Sequence, residues 1–236
     1  VADRPLVIGD AEALPFKDGA FDYVTCVHVL EHAQDVETFI AELERVARAG
    51  YIETPSEVAE WLYGWEYHRW LVNRVGGRLV LRKKTGRGPF GRLFHKMGAV
   101  DADFMALHRR YHHLFLVQHE WRGTIDYEMS SEDGMPFDLD DETVVGEMLR
   151  GAARPGIAAR AKSAVWTRMP ESWRARTKRA LAGGMGRARR QVDIREIAAC
   201  PCCKGPLRWE DEATHCEADG LTFEVRDGVP ILLLPD

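Results

Sequence analysis

Asp10 and His28 each stand near the end of a run of apolar residues. Residues 6–8 form a short apolar run, and residues 21–30 form a longer one that is rich in valine and aromatic side chains. Such runs are typical of buried parallel strands, which are covered by helices on both faces. In open α/β sheets the ligand lies just beyond the carboxyl ends of the strands. We therefore expect Asp10 and His28 to lie where a small molecule binds.

The five cysteines are a second set of residues that could do chemistry. Three of them fall within residues 200–203, and Cys216 follows. This density is typical of metal ligands or free thiols and not of a disulfide framework. The cysteines therefore indicate a reducing, cytoplasmic environment.

The composition narrows the class of protein. The chain has 236 residues, of which 45% are hydrophobic and 29% charged, as in soluble globular proteins. The net charge of −5 excludes a uniformly basic nucleic-acid binder. No apolar run approaches the roughly 20 residues that a membrane-spanning helix needs.

Three motifs surround Asp10 and His28. They are G-D-A-E-A-L-P-F at residues 9–16, D-G-A-F-D-Y-V at residues 18–24 and H-V-L-E-H at residues 28–32. Together they resemble the class I S-adenosylmethionine-dependent methyltransferases. The combination is far more specific than any one of the motifs.

The resemblance implies a role for four residues. Asp10 would accept a hydrogen bond from the adenine amino group, and the backbone N–H of Ala11 would meet a ring nitrogen. Val27 and His28 would lie beside the methionine part of the cofactor and its methyl group. Taken singly, Asp10 could merely cap a turn and His28 could be a core histidine, but their combination favours the cofactor.

The predicted fold class is α/β, with a partial Rossmann-like methyltransferase sheet and a second, small zinc-ribbon-like α+β domain. The resembled family has the strand order 3-2-1-4-5-7-6, with a Gly-rich turn after the first strand and an acidic residue after the second. Neither feature precedes Leu6, so the runs at residues 6–8 and 21–30 would not be neighbours. Either the chain is the C-terminal part of a longer protein, or its strands pair in a new way. The cost of burying unpaired backbone groups favours the first interpretation, in which this chain alone binds the cofactor poorly.

The segment from Val36 to Ala47 has the clearest helical periodicity. Its apolar residues fall on one face, while Glu42 belongs to the charged face. Asp35 is the predicted N-cap and Gly50 the predicted stop. Residues 51–54 are predicted as the next strand.

Residues 56–120 depart from this pattern and are predicted as a substrate-facing insertion, because they hold most of the histidine and aromatic side chains. Candidates for a general base are His28, His68 and His112. His108 and His112 could share a helix face and bind zinc, but the neighbouring arginines would repel a cation.

The last part of the methyltransferase-like region and the segment that follows it are predicted as strands and as a basic linker, respectively. Residues 114–117 and 121–129 are predicted as strands, and specifically as the antiparallel pair that closes the family's sheet. Residues 151–190 contain eleven Arg or Lys residues and one acid, Glu171. We predict a basic linker there, either a solvated segment or a contact with RNA or anionic lipid.

The tail carries a second resemblance. The segments I-R-E-I-A-A-C-P-C-C-K-G-P-L and H-C-E-A-D-G-L-T-F-E-V-R-D-G-V-P-I-L-L-L resemble the Trm112-like (UPF0434) family. The resemblance implies zinc ligands at Cys200, Cys203 and Cys216, with Asp219 in the fourth place and His215 as an alternative to it. Members of that family bind and activate methyltransferases, so the two resemblances support each other.

These observations predict a methyltransferase-like region at residues 1–150, a linker at 151–190 and a Trm112-like domain at 191–236. The expected function is S-adenosylmethionine-dependent methyl transfer to an unidentified acceptor, a small molecule, lipid, sugar or RNA, in which His28 is catalytic and the fused module stabilises the fold. Two alternatives stay open. One is a non-catalytic binding or scaffold protein with a degenerate methyltransferase fold, and the other is a nucleic-acid-binding module centred on the linker and the tail.

Overall fold

The computed structural model describes residues 5–86, 88–150 and 192–235. Over these residues the chain is a mixed α/β protein whose strands form three sheets. The N-terminal region and the tail belong to one compact unit. The predicted basic linker at residues 151–190 lies outside the described residues.

Strands alternate with helices or short 3₁₀ turns over residues 8–75, and after that elements of one kind follow one another in groups. The strands are β1 Ile8–Gly9, β2 Val24–Val27, β3 Ala49–Pro55, β4 Trp70–Val75, β5 Arg78–Lys83, β6 Leu116–Arg122, β7 Tyr127–Ser130, β8 Arg208–Trp209, β9 Ala213–Cys216, β10 Leu221–Arg226 and β11 Val229–Leu232. The helices are α1 Val36–Val46, α2 Glu57–Tyr63, α3 Gly91–Val100, α4 Ala102–Arg110, α5 His112–Phe115, α6 Glu142–Arg150 and α7 Ile194–Ile197. Short 3₁₀ turns lie at Ala11–Ala13 and Leu30–His32.

The sheet of β2, β3 and β6 lies at the centre of the main core. β2 runs parallel to β3, and β6 runs antiparallel to it. Gly50 lies within β3, so it is not the helix stop that the sequence predicts. A Cβ at Gly50 would lie 2.6 Å from Nε1 of Trp121 and 2.7 Å from the backbone oxygen of Val24, so glycine is required by close packing.

Helix α1 covers this sheet. The Asp35 carboxylate accepts hydrogen bonds from the backbone N–H groups of Glu37 and Thr38, both at 3.1 Å, which confirms the predicted N-cap. The buried face of α1 packs into the core through Val36, Phe39, Ile40, Leu43 and Val46.

The position of Glu42 on the charged face of α1 predicts that it faces solvent, but the structure buries it. Only 8% of the residue is exposed, because the tail covers it and brings the ammonium of Lys204 to 3.0 Å from its carboxylate. Arg45, one turn further along α1, donates to the same carboxylate. Burial alone would raise the pKa of Glu42, but the hydrogen bonds from Arg45 and Lys204 outweigh it and leave that pKa below its ordinary value.

The segment between β3 and β6 forms a hairpin and four helices. β4 and β5 are antiparallel, and β7 joins β5 in parallel. The predicted pairing of residues 114–117 with 121–129 is therefore wrong: β6 and β7 lie in different sheets. Gly123, with φ of 75°, turns the chain between them.

The tail forms a sheet with the start of the chain. Its order is β1-β11-β10-β9-β8, and β1 pairs in parallel with β11 through Ile8 opposite Ile231 and Gly9 opposite Leu232. β1 and β2 therefore lie in different sheets. This agrees with the prediction that the two apolar runs would not be neighbours. Further backbone contacts join the two parts, since Lys17 donates to the oxygen of Ile197.

No helix within the described residues has both the length and the apolar character that crossing a membrane requires.

Candidate functional site

The turn after β1 places Asp10 at the surface. Its carboxylate accepts a hydrogen bond from the backbone N–H of Glu12 at 2.9 Å and so caps the 3₁₀ turn at Ala11–Ala13. The Glu12 carboxylate in turn accepts the backbone N–H of Gln34 at 2.5 Å. The chain that follows β1 is therefore tied to the chain that follows H-V-L-E-H.

His28 follows β2 in a rare backbone conformation. Its φ is 54°, and its N–H donates to the oxygen of Glu53 at 2.8 Å. A non-glycine residue with positive φ is uncommon and is often found at functional sites. The ring is half exposed, with Nδ1 3.5 Å from Oε1 of Glu31 and Nε2 3.9 Å from Oε1 of Glu53.

Val27, the last residue of β2, is 45% exposed. The chain leaves the sheet after Val27, and the side chains of Val27 and His28 are both accessible to solvent there. This is the end of the strand at which ligands bind in open α/β sheets.

Glu31 is the most buried charged residue at this strand end. The adjacent Leu30 anchors the 3₁₀ turn in the core, and Glu31 itself is 1% exposed. Thr54 donates its hydroxyl to Oε2 of Glu31 at 2.9 Å, whereas Oε1 has no hydrogen-bond partner. A buried carboxylate oxygen without a partner is costly and calls for an explanation.

His68 comes from the loop before β4 and meets the same carboxylate. Its Nε2 lies 4.0 Å from Oε1 of Glu31, and its Nδ1 contacts Oε1 of Glu60 on α2 at a short distance. Lys84 donates to the other oxygen of Glu60 at 2.6 Å. His68 is thus held between two buried carboxylates.

Aromatic side chains enclose these imidazoles. Tyr67 stacks on His32 with ring centroids 5.4 Å apart, and Trp65 lies 5.0 Å from His68. Together with His28, Tyr63 and other residues of the insertion they line a cavity of about 440 Å³. A cavity with aromatic walls and a few polar groups suits a ligand of mixed character.

Ala11 lines a different cavity, of about 350 Å³, which lies along β2 and α1. Its walls are mostly apolar and include Phe21, Val24 and Val29. This cavity shares no lining residue with the one that His28 lines. Ala11 and His28 therefore border separate cavities, and Asp10 and Val27 line neither of these two.

Glu53, beside His28, is held by two neighbours. It accepts hydrogen bonds from the Tyr51 hydroxyl at 2.5 Å and from the Gln118 amide at 2.7 Å. The Tyr51 hydrogen bond is the main reason why the pKa of Glu53 lies below its ordinary value. Burial, assisted by that bond, raises the pKa of Tyr51 to about 12.

His108 and His112 do not share a helix face. His108 lies in α4, where its ring stacks 3.9 Å from that of Phe115, and His112 begins α5. Tyr111 interrupts the helix between them, with φ of −108° and ψ of 28°.

The structure brings the four predicted tail residues together. Their ligand atoms all lie within 4.8 Å of one another, with Cys200 Sγ 3.2 Å from Asp219 Oδ2 and Cys203 Sγ 3.5 Å from Cys216 Sγ. Two sulfurs on one tetrahedral zinc ion lie about 3.8 Å apart, so the arrangement fits that ion. Hydrogen bonds from the thiols, led by Cys203, lower the pKa of Asp219.

Two nearby residues lie outside this group. The Nδ1 of His215 is 3.0 Å from the Thr222 hydroxyl, and His215 is not part of the cluster. Cys202, between two of the cysteines, is an exposed free thiol.

Sequence reasoning did not assign a role to Glu31 or Glu60. Glu31 stands between Leu30 and His32 in the H-V-L-E-H motif, and only its position in a 3₁₀ turn places its carboxylate beside His28. Glu60 is eight residues from His68 with a loop between them. No periodicity in the sequence predicts that contact.

Two family models match the chain. A model described as methyltransferase domain matches residues 1–52, and one described as Trm112p-like protein matches residues 193–228. The two matches fall on the regions whose motifs carry the two resemblances, which confirms both.

Curated relatives match the same two regions. A UPF0434 protein of Stutzerimonas stutzeri is 52% identical over 40 residues, which are 16% of this chain and 66% of that protein. A UPF0434 protein of Burkholderia multivorans is 46% identical over 43 residues, 17% of this chain and 67% of that protein. Ajmaline N-methyltransferase of Rauvolfia serpentina is 54% identical over 43 residues, 18% of this chain and 15% of that enzyme.

The chain thus spans about two thirds of the UPF0434 proteins and a small part of the plant enzyme. No solved structure matches the chain significantly. Through residues 193–228 the chain belongs to the Trm112p-like (UPF0434) family, and residues 1–52 of the same chain match the methyltransferase domain.

Proposed function

We propose that the protein takes part in S-adenosylmethionine-dependent methyl transfer and that its Trm112-like tail stabilises the methyltransferase-like region. The observation that carries the proposal is the meeting of the turns after β1 and β2, joined by the hydrogen bond from Gln34 to Glu12. The match of residues 1–52 to the methyltransferase domain supports methyl transfer in general. The parallel strands β2 and β3, joined by α1, are consistent with part of a Rossmann-like sheet.

The residues that would hold the cofactor follow from the motifs. Asp10 and the backbone N–H of Ala11 would bind the adenine, with the apolar side chains beside Ala11 available to its ring face. Val27 and His28 would lie beside the methionine part. When bound, the cofactor supplies a methyl group that its sulfonium has already activated.

The cavity lined by His28 would then take the acceptor. His28 lines this cavity, and its ring would accept a proton from the acceptor. Holding acceptor and methyl group in line would provide most of the rate enhancement. The domain boundaries at residues 150 and 191, and the substrate-facing role of residues 56–120, are part of this proposal.

The tail would act by covering the rest of the chain. Three contacts support this role: β11 adds to the edge of β1, Lys204 pairs with Glu42, and Val7 packs against the tail core. Zinc bound by Cys200, Cys203, Cys216 and Asp219 would hold the tail itself as a zinc-ribbon-like domain.

Calorimetric titration of the natural gene product with S-adenosylmethionine tests the proposal. We expect binding by the wild type and a tenfold or greater weakening by Asp10→Ala, since a hydrogen bond to a charged group contributes about 1.5–3 kcal/mol. The matched control is Asp101→Ala, because Asp101 caps α4 through the same kind of backbone hydrogen bond, at 2.9 Å.

Two results would contradict the proposal. One is the absence of binding heat with folded wild-type protein. The other is equal affinity of the wild type and Asp10→Ala, which would leave Asp10 with the capping role alone.

A further inference from the structure

The group of Glu31, His32 and His68 has the composition of a metal site. Their ligand atoms all lie within 4.8 Å of one another, and Oε1 of Glu31 is 3.9 Å from Nε2 of His32 and 4.0 Å from Nε2 of His68. Nitrogen and oxygen atoms bound to one tetrahedral zinc ion lie about 3.4 Å apart. Both oxygen–nitrogen distances exceed this by about 0.5 Å, so a bound ion would draw the three side chains slightly closer together.

The unpartnered oxygen of Glu31 points to an occupant. Glu31 is 1% exposed, and its Oε2 accepts a hydrogen bond from the Thr54 hydroxyl. Its Oε1 faces imidazole nitrogens but has no hydrogen-bond partner. A carboxylate oxygen left in this state costs about 1–3 kcal/mol or more. A cation at the centre of the group would remove that cost.

The surroundings of His68 have the form that metal sites use. Metal-bound histidine commonly donates its second ring N–H to a carboxylate, which fixes the tautomer and the ring direction. Here Nδ1 of His68 contacts Glu60, and Lys84 holds Glu60 in turn, so that Nε2 is left directed at Glu31.

We propose that Glu31, His32 and His68 bind one divalent cation of the zinc class. Two imidazoles and one carboxylate are a set that zinc and its neighbours Co²⁺ and Ni²⁺ accept, and three protein ligands leave a coordination position open. All three residues line the cavity of about 440 Å³, so the open position faces a space that can hold a ligand. This site is separate from the tail cysteines, and it does not depend on the proposed methyl transfer.

Cobalt substitution tests the proposal with the natural gene product. After removal of metals with a chelator, Co²⁺ is added to the wild type, Glu31→Gln and His32→Gln, and metal content and visible absorption are measured. His32→Gln is included because His32 is 38% exposed and its replacement disturbs the core less than that of Glu31. The matched control is His108→Phe, which lines the same cavity, keeps the ring stacking on Phe115 and lies outside the group.

We expect the wild type and His108→Phe to retain one more ion per chain than Glu31→Gln and His32→Gln. The lost ion contributes d–d bands and no thiolate charge-transfer band, which distinguishes it from an ion at the cysteines. We expect its affinity to fall by at least about 100-fold, the upper end of what changes next to the ligands cause. Equal metal content and equal absorption in the wild type and both variants, with all proteins folded, would overturn the proposal.

Discussion

The tail cluster and the cluster around Glu31 differ in how the chain assembles them. Cys200, Cys203, Cys216 and Asp219 come from two tight turns within twenty residues, and their ligand atoms group near the surface. Glu31, His32 and His68 come from a strand end and a distant loop, and their positions depend on the core. The first cluster is implied by the resemblance of the tail to the Trm112-like family, whereas the second becomes visible only when the fold is known.

The comparison predicts different consequences of disturbing each cluster. In the tail, the ligands themselves should organise a small domain, because its core is limited to a few side chains such as Phe223 and Leu232. Around Glu31, a large core that includes Leu30 already holds the chain in place, so folding does not require a ligand there.

The largest effect is expected for Cys203→Ser in the zinc-loaded protein. Loss of one thiolate should remove the tail ion and destabilise the tail by several kcal/mol, since structural zinc contributes about 10 kcal/mol or more to small domains. Thermal unfolding and zinc content measure the effect.

Cys202→Ser is the matched control, because Cys202 is exposed and lies outside the cluster. If both serine variants lose the same stability and the same zinc, the ligand set is wrong.

The next largest effect is expected for the replacement of two fully buried threonines, one beside each cluster. Thr54 donates to the Glu31 carboxylate at 2.9 Å, and Thr214 donates to the backbone oxygen of Arg208 at 3.0 Å. Thr54→Val should cost about 2–3 kcal/mol in free energy of unfolding, and Thr214→Val about 1 kcal/mol, because hydrogen bonds to charged groups are stronger. Urea unfolding of both variants measures the difference.

Each valine variant serves as the other's control, since shape and burial change alike. A larger loss for Thr214→Val would mean that Glu31 is not held as a buried carboxylate.

The smallest effect concerns the ion pair between Lys204 of the tail and Glu42 of α1. Lys204→Met should lower the free energy of unfolding by about 1 kcal/mol at neutral pH, because the ammonium pairs with the partly buried Glu42. The pKa of Glu42 is lower in the folded protein than its ordinary value of 4.5. Its contribution to stability is therefore present above pH 4.5 and is lost as the pH falls through the lowered folded value.

Urea midpoints of the wild type and Lys204→Met should accordingly converge in acid. A difference that is constant from neutral pH down to acid unfolding would mean that Lys204 acts through packing and not through Glu42. Lys96→Met, at an exposed position of α3, provides the control for removing a lysine.

Local features of the fold were predictable from the sequence. Helix α1 and its cap at Asp35 follow from periodicity and from the preference of carboxylates for helix N-termini. The grouping of the tail cysteines with Asp219 agrees with what the resemblance to the Trm112-like family implies.

Features that depend on distant contacts were not predictable. Glu42 has the position of a solvent-facing residue, and only the docking of Lys204 from the tail buries it. The separation of β6 from β7 depends on the turn at Gly123, and the contact of His68 with Glu60 depends on the fold of the insertion. In each case the deciding partner lies in another element, beyond the reach of local periodicity.

The proposed function requires the turns after β1 and β2 to form one binding rim for S-adenosylmethionine. Hydrogen exchange of the natural gene product, measured with and without the cofactor, tests it most directly. We predict that the cofactor slows exchange in peptides covering residues 8–13 and 26–33, while residues 208–226 of the tail are unchanged. Slower exchange in only one of the two turns, or in neither of them at saturating cofactor, would contradict the claim.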